Sequence, residues 1–192
     1  MSWIRPIIFH VYTLLMVSLL CPVQSWAVDL DKVSRIKAAY IHQFSHFVSW
    51  PGSEAVASSS IAQMTICIIG HDLVSEYLAK LAGHRHGAYS IEIEHPTSPS
   101  AAHHCELLYI TPRSPAEVDE IVREMDRFPV LTVSDVPGFV DRGGMIGFIV
   151  KEDRVRLEIN LPAAQRARLH ISAKLIEVSL RIIRVHANEG GR

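Results

Sequence analysis

Two histidines, His42 and His46, are four residues apart in a segment with helical periodicity. On a helix this spacing places both imidazoles on one side, as in zinc peptidases, where a glutamate after the first histidine acts as general base. Here Gln43 follows His42, so the catalytic carboxylate is missing. Relative to the apolar stripe through Tyr40 and Phe44, both histidines fall on the outer side of the helix, where a solvated side chain is the ordinary outcome.

Further histidines lie in loop-like segments near the predicted ends of strands. A weak or adventitious metal site stays open there, but these positions do not form a recognisable ligand motif. We therefore expect no resident metal ion and no other cofactor. The residues in question are His84, His86, His103 and His104.

The serine and glycine motifs do not predict catalysis. The chain has no Gly-x-Ser-x-Gly elbow, and Ser134-Asp135, which follow a predicted strand, are better explained as caps of the turn or short helix that comes next. The glycine-rich segment 143–147 leads into a strand, whereas phosphate-binding loops lead into a helix, so it predicts a tight turn with positive φ. Gly70 opens a helix but is a weak anion-binding signal on its own. We expect a protein that is not an enzyme.

The first 27 residues have the three zones of a secretory signal. Arg5 gives a basic start, residues 7–20 are apolar, and Ser25-Trp26-Ala27 is a cleavage pattern, which predicts cutting after Ala27 and export to the periplasm. A membrane anchor is the alternative, but His10 interrupts an apolar stretch that is shorter than the roughly 18 to 20 residues that span a bilayer. A lipoprotein signal needs a small residue before the cysteine, where Leu20 stands.

Cleavage would leave residues 28–192, enough for one domain with its own core. Only Arg5 would be lost from the charged residues, so 18 basic and 20 acidic side chains remain and the formal charge moves from −1 to −2. No basic run is present to neutralise phosphates. A nucleic-acid partner is therefore not expected.

Two of the three cysteines, Cys67 and Cys105, would remain after Cys21 leaves with the signal. In an oxidising compartment two cysteines tend to pair, so a structural Cys67–Cys105 disulfide is predicted. Two buried thiols are the alternative. A redox enzyme is less favoured, because there is no Cys-x-x-Cys spacing.

Apolar spacing predicts the elements. A first helix over 33–48 has Asp31 as N-cap and an inner stripe of Val33, Ile36, Tyr40, Phe44 and Phe47. The remaining predicted elements are a strand over 61–69, a helix from 73, an edge strand over 89–94, a strand over 107–110, a helix from 112–115, a strand over 130–133, a hairpin of 146–150 with 154–159, and a last helix over 172–185 that buries Leu175, Ile176, Leu180 and Ile183.

Short apolar strands that alternate with helices predict parallel pairing, because parallel strands require crossover connections. The predicted fold class is α/β: a single domain with a mainly parallel sheet flanked by helices and a C-terminal antiparallel hairpin.

Six segments together resemble the YfiR-like family of periplasmic proteins, and they cover nearly the whole mature chain in order. They are KAAYI at 37–41, FVSWP at 47–51, VLTVSD at 130–135, GGMIGF at 143–148, RLEINL at 156–161 and SAKL at 172–175.

The resemblance implies an α/β repressor, a homodimer, that binds the periplasmic domain of an inner-membrane diguanylate cyclase and restrains synthesis of cyclic di-GMP. An outer-membrane lipoprotein with a peptidoglycan-binding domain would relieve repression by sequestering it. Cys67 and Cys105 match a pair that is disulfide-bonded in such repressors, while a second pair found in some of them has no counterpart here.

Other family members accompany sensor histidine kinases or outer-membrane receptors. The alternative function is therefore a small-ligand-binding accessory domain for such a protein, although one domain of this size lacks the two lobes that usually close around a solute.

Five motif residues without an obvious core role are candidates for partner contact: Gly143, Gly144, Met145, Asn160 and Lys174. Each also has a structural explanation. The glycines suit a special backbone geometry, Asn160 suits the N-cap of a helix at Leu161-Pro162, and Lys174 suits a solvated surface.

Overall fold

The computed structural model describes residues 29–52, 62–83, 85–86, 89–111 and 114–184. The predicted signal peptide over 1–27 lies outside the described residues, as do His84 and the last eight residues of the predicted mature chain. Within the described part, no helix is both long and apolar enough to span a membrane.

Five α-helices and ten strands are described. The helices are α1 (Leu30–Gln43), α2 (Leu73–Ala79), α3 (Pro115–Met125), α4 (Leu161–Arg166) and α5 (Ala173–Glu177), with 3₁₀ turns at Phe44–His46 and Pro99–Ala102. The strands are β1 (Val48–Ser49), β2 (Ala62–Ile69), β3 (Arg85–His86), β4 (Tyr89–Glu94), β5 (Leu107–Ile110), β6 (Leu131–Ser134), β7 (Ile146–Lys151), β8 (Arg154–Asn160), β9 (His170–Ile171) and β10 (Arg181–Ile183).

The main sheet has eight strands in the order β10-β8-β7-β6-β5-β2-β4-β3. Strands β4, β2, β5, β6 and β7 run parallel to one another, whereas β3 is antiparallel to β4 and β8 is antiparallel to β7. The α/β fold class, the mainly parallel sheet and the antiparallel hairpin are thereby confirmed. The hairpin turn is two residues long, Glu152 and Asp153, and both have positive φ as a tight hairpin turn requires.

Alternate residues along the parallel strands enter two separate cores. On β2, Ile66 and Ile68 face a core covered by α1, α2, α4 and α5, while Cys67 and Ile69 face a second core covered by α3. This two-sided burial explains why the strands are almost continuously apolar.

The predicted disulfide is confirmed. Cys67, on β2, is bonded to Cys105, just before β5, with the two Cα atoms 6.0 Å apart. Both residues are buried in the α3-side core. The bond therefore links two neighbouring parallel strands that are 38 residues apart in sequence.

The first helix begins earlier than predicted and buries a different face. Asp29, not Asp31, is its N-cap and accepts from the Lys32 backbone N–H at 3.1 Å. The helix buries Val33 but leaves Ile36 37% exposed. The predicted inner stripe is thus partly wrong, because the buried face runs instead through Ser34, Lys37, Ala38 and Ile41.

The predicted last helix over 172–185 is wrong beyond its first turns. Helix α5 ends at Glu177, and β10 then pairs parallel to β8. The open edge of β8 offers backbone partners, as the Leu180 N–H shows by donating to the Leu157 carbonyl at 2.8 Å. Leu180 is consequently 46% exposed, whereas Leu175 is buried as predicted.

Candidate functional site

The outward side of α1 carries apolar side chains that the rest of the protein covers only in part. Ile36, Ala39 and Tyr40 lie on this side, opposite the buried Lys37 and Ile41. Short helix α5 runs nearby, begins at the cap Ser172 and projects Lys174 and Val178 toward the same space. The two helices therefore form the walls of an open groove, which we call the α1/α5 groove.

The α1/α5 groove has a volume of about 480 Å³. Its lining is mostly apolar or aromatic, and it consists of Ile36, Ala39, Tyr40, Gln43, Phe44, Phe47, Lys174, Leu175 and Val178. The floor is part of the core, because the buried Phe44 ring lies 6.2 Å from the Phe148 ring of β7 in a stacked arrangement. Val178 is 58% exposed at the rim.

Charge in the groove has one sign. Among the described residues that line it, Lys174 alone is charged, and its side chain is exposed. An apolar cleft with one cation at its rim is complementary to an apolar surface that carries an acidic side chain. Lys174 is also one of the five residues that the sequence analysis named as candidates for partner contact, and its side chain is exposed.

A buried ion pair anchors α1 to the sheet. Lys37 is only 8% exposed, and its Nζ donates to Oδ2 of Asp135, directly after β6, at 2.5 Å. The other oxygen, Oδ1, is buried and has no hydrogen-bond partner among the described residues. The expected capping role of Asp135 is therefore corrected: its carboxylate compensates the buried charge of Lys37.

Tyr109, on β5, lies beside this pair and is fully buried. Burial, the nearby negative charges of Asp135 and Asp72, and its hydrogen bond to Asp72 all raise the pKa of the Tyr109 hydroxyl. The hydroxyl stays neutral and donates to Oδ2 of Asp72 at 2.8 Å. Asp72 in turn caps α2 through a capping box with Ser75. Tyr109 and Asp72 are thus held by hydrogen bonds within the protein, which indicates a structural role for them.

Ser134 cannot act as a nucleophile in this arrangement. Its hydroxyl donates to the Ile110 carbonyl at 2.7 Å and accepts from the Val136 N–H at 3.1 Å. Both interactions tie the end of β6 to its surroundings, in agreement with the predicted structural role of this serine.

The first two of the three glycines in the GGMIGF segment are required for different structural reasons. Gly143 has φ +97°, as the predicted tight turn requires. Gly144 instead lies against an aromatic ring, since a Cβ there would be 2.2 Å from Cε1 of Phe139. Gly144 is buried and Gly143 is partly exposed, so neither offers a side chain to a partner.

Substituting Gly144 by alanine is expected to destabilise the protein by about 2 to 3 kcal/mol, because the buried Phe139 ring must move to admit a methyl group. Gly147→Ala is the matched control in the same segment, since its Cβ would be 3.4 Å from Val140, an ordinary contact. Urea unfolding followed by circular dichroism measures both variants. Equal stabilities of the two would contradict the packing role of Gly144.

Met145 and Asn160 are buried and have internal partners. Met145 is 3% exposed, and its N–H donates to Oγ1 of Thr132. The Asn160 side chain accepts from the Ala163 N–H at 3.0 Å, as the predicted cap of α4, and donates to the Val140 carbonyl at 2.9 Å. These positions hold the fold together and leave little of either side chain for a partner.

The histidine pair does not form a metal site with other ligands among the described residues. His42 is partly exposed and His46 is exposed, and neither belongs to a described cluster of three or more possible ligands. One such cluster is found elsewhere, and it contains His104 with the two disulfide cysteines.

A family model described as YfiR/HmsC-like matches residues 34–179, which is well over half of the chain. The chain belongs to the YfiR/HmsC-like family. Members of this family are periplasmic regulators rather than enzymes. None of the curated protein sequences matches this YfiR/HmsC-like chain.

Solved structures support the fold. A crystal structure of a conserved domain protein from Vibrio cholerae matches with a TM-score of 0.54 at 8% identity, over 78% of this chain and 60% of that one. The ABC domain in complex with L-Trp from Streptococcus pneumoniae matches with a TM-score of 0.45 at 11% identity, over 62% of this chain and 55% of that one. The first likeness shows the α/β fold alone, and the YfiR/HmsC-like chain spans under two thirds of either protein.

The segments that carried the family resemblance meet in the folded protein. Lys37 of KAAYI pairs with Asp135 of VLTVSD, and the Asn160 N–H of RLEINL donates to the Met145 carbonyl of GGMIGF at 2.8 Å. Trp50 of FVSWP donates from Nε1 to the Glu106 carbonyl at 2.8 Å. Most motif residues of this YfiR/HmsC-like protein therefore maintain the fold, and Lys174 of SAKL reaches the surface.

Sequence reasoning missed the role of Lys37 and the exposure of Ile36. The sequence does contain a signal for the burial of Lys37. On a helix, Lys37 shares a face with Val33 and Ile41, each four residues away, and such an apolar face is the one that packs on a sheet. A lysine at such a position requires an acid from another element, and Asp135 follows a buried strand.

Proposed function

We propose that this protein represses a membrane-bound signalling enzyme, a diguanylate cyclase that makes cyclic di-GMP, by binding its periplasmic domain. The family match over residues 34–179 carries the proposal, because the family consists of periplasmic regulators. Repression across a membrane requires that the protein bind the inactive state of the cyclase more tightly than the active state.

The α1/α5 groove is the proposed contact surface. Ile36 and Val178 are 37% and 58% exposed at its rim, and the groove remains open between two helices. The occupant we propose is an apolar segment of the cyclase periplasmic domain that carries an acidic side chain opposite Lys174. Such a contact would combine burial of apolar area with one charge pair at the edge of the interface.

Val178→Asp is expected to weaken binding to the cyclase periplasmic domain by at least about tenfold, because it places a carboxylate in the apolar contact. Val150→Asp is the matched control, since Val150 is 42% exposed on β7 and does not line the groove. Co-purification and calorimetry with the periplasmic domain of a diguanylate cyclase from the same organism measure both variants.

The same variants test the function in cells. Deletion of the gene is expected to raise the level of cyclic di-GMP and the amount of biofilm. Expression of the wild type or of Val150→Asp in the deletion strain should lower both to the original level, whereas Val178→Asp should not. Unchanged nucleotide levels after deletion, with no recovered partner, would contradict the cyclase proposal. Equal binding of both variants to the cyclase domain would contradict the role of the groove as the contact surface, but it would not contradict repression.

A small-ligand-binding accessory role for a sensor kinase or outer-membrane receptor is the second candidate. The groove volume of about 480 Å³ lies within the range of small-molecule sites, which is roughly 300 to 1,000 Å³. A thermal-shift screen that finds a ligand lost in Val178→Asp would favour this role. The homodimer and the outer-membrane lipoprotein partner remain predictions, to be measured by sedimentation and co-purification.

A further inference from the structure

The disulfide has other metal-binding groups beside it. The sulfur atoms of Cys67 and Cys105 and one ring nitrogen of His104 all lie within 4.8 Å of one another. His104 Nε2 is 3.9 Å from the Cys105 sulfur. Two thiolates and an imidazole are three of the four ligands of a structural zinc site.

A fourth possible ligand, Glu94, lies on the neighbouring strand β4 and contacts His104, next to the group formed by the two sulfur atoms and the imidazole. Oε2 of Glu94 lies 2.9 Å from Nε2 of His104, and Glu94 is the register partner of Cys67 in the parallel pair of β2 and β4. Register partners in a sheet project to the same face, so the carboxylate and the sulfur lie on one side of the sheet. A cation that replaced the proton between Glu94 and His104 would be bound by both groups.

The site has a buried half and an open half. Cys67 is 0% and Cys105 3% exposed, whereas the side chains of His104 and Glu94 are 57% and 40% exposed. An ion could enter from the solvent side and meet sulfur ligands in a water-poor environment, where charge interactions are stronger. The disulfide blocks such binding, because its sulfurs are not thiolates.

We propose that reduction of the Cys67–Cys105 disulfide creates a zinc site formed by Cys67, Cys105, His104 and Glu94. A dithiol reductant supplies two electrons and two protons, so that the S–S bond breaks, two thiols form, and the reductant becomes a disulfide. Binding of Zn²⁺ then forms two Zn–S bonds and releases the two thiol protons to solvent. The same pair of strands is held together by a covalent bond in one state and by a metal ion in the other.

The test uses the mature protein, reduced with a dithiol and freed of it under anaerobic conditions. Titration with zinc chloride by calorimetry is expected to give one tight site per chain, and cobalt chloride is expected to give a thiolate-to-cobalt charge-transfer band. The oxidised protein is expected to show neither. Tight zinc binding of equal strength by oxidised and reduced protein would overturn the proposal.

Variants separate a built site from adventitious binding. His104→Ala and Glu94→Gln keep the cysteines and are expected to weaken zinc binding to the reduced protein at least about tenfold. His71→Ala is the matched control, because His71 is another exposed histidine beside a carboxylate, 3.3 Å from Glu76, and does not belong to the group with the cysteines. Unchanged affinity in His104→Ala, or a reduced protein that loses its native circular dichroism and does not regain it with zinc, would contradict the site.

Discussion

Replacing Lys37 by methionine is expected to lower the free energy of unfolding by about 3 to 5 kcal/mol, the usual cost of removing one partner of a buried ion pair. Methionine keeps the unbranched shape and most of the length of the lysine side chain and removes its charged end, so the cost comes mainly from the carboxylate left behind. The Asp135 side chain is only 16% exposed, and its Oδ1 already has no hydrogen-bond partner among the described residues. Urea unfolding monitored by circular dichroism gives the value.

Two further variants isolate the cause. The double variant Lys37→Met with Asp135→Leu is expected to recover most of the loss, because well-packed apolar residues can replace a buried ion pair at little cost. Lys174→Met removes an exposed lysine and is expected to change stability by less than about 0.5 kcal/mol. A Lys37→Met variant as stable as Lys174→Met would show that the buried pair does not hold α1 on the sheet.

Removing the disulfide is expected to lower the free energy of unfolding by about 4 kcal/mol, the chain-entropy value for a loop of this length. The bond closes a loop of 38 residues between two neighbouring strands of the sheet. The variant Cys67→Ser should show the loss as a lower melting temperature. The intact wild type should gain the mass of two hydrogen atoms on reduction.

A control distinguishes the bond from the packing of its atoms. Cys67→Ala with Cys105→Ala keeps apolar side chains at these two buried positions, so its loss reports mainly on the missing cross-link. Wild-type protein that reacts as two free thiols after non-reducing purification would contradict the disulfide, and a double variant as stable as the wild type would contradict its stabilising role.

The parallel strands in the core of the fold could be predicted from short apolar runs in the sequence. Residues 107–110 are all buried, and a run of four apolar residues between turn signals is long enough for an interior strand but too short for a buried helix. The C-terminal segment was ambiguous. Leu175, Leu180 and Ile183 fit the period of a helix, but residues 181–183 form strand β10 because they pair with the edge of β8.

The candidate site was less predictable because a groove depends on which way a helix faces. The apolar spacing of α1 includes both Phe44, which is buried, and Ile36, which is exposed, and periodicity alone does not separate them. The separation is made by Lys37, whose partner Asp135 is 98 residues away in sequence. Lys174 was found because it belongs to a motif and has no partner in the core.

The edges of the main sheet limit how this protein can associate with others. In the part of the chain that the structure describes, the sheet ends in β3, of two residues, and β10, of three. Long exposed edge strands act as templates for backbone pairing between molecules, and very short edge strands weaken that route. Because β3 pairs only with Tyr89 and Ser90 of β4, and β10 only with the last three residues of β8, four residues of each longer strand have no strand neighbour on that side. At the described edges of the main sheet, backbone pairing with another molecule is therefore confined to these two short stretches, where a single charged or proline substitution would be enough to block it.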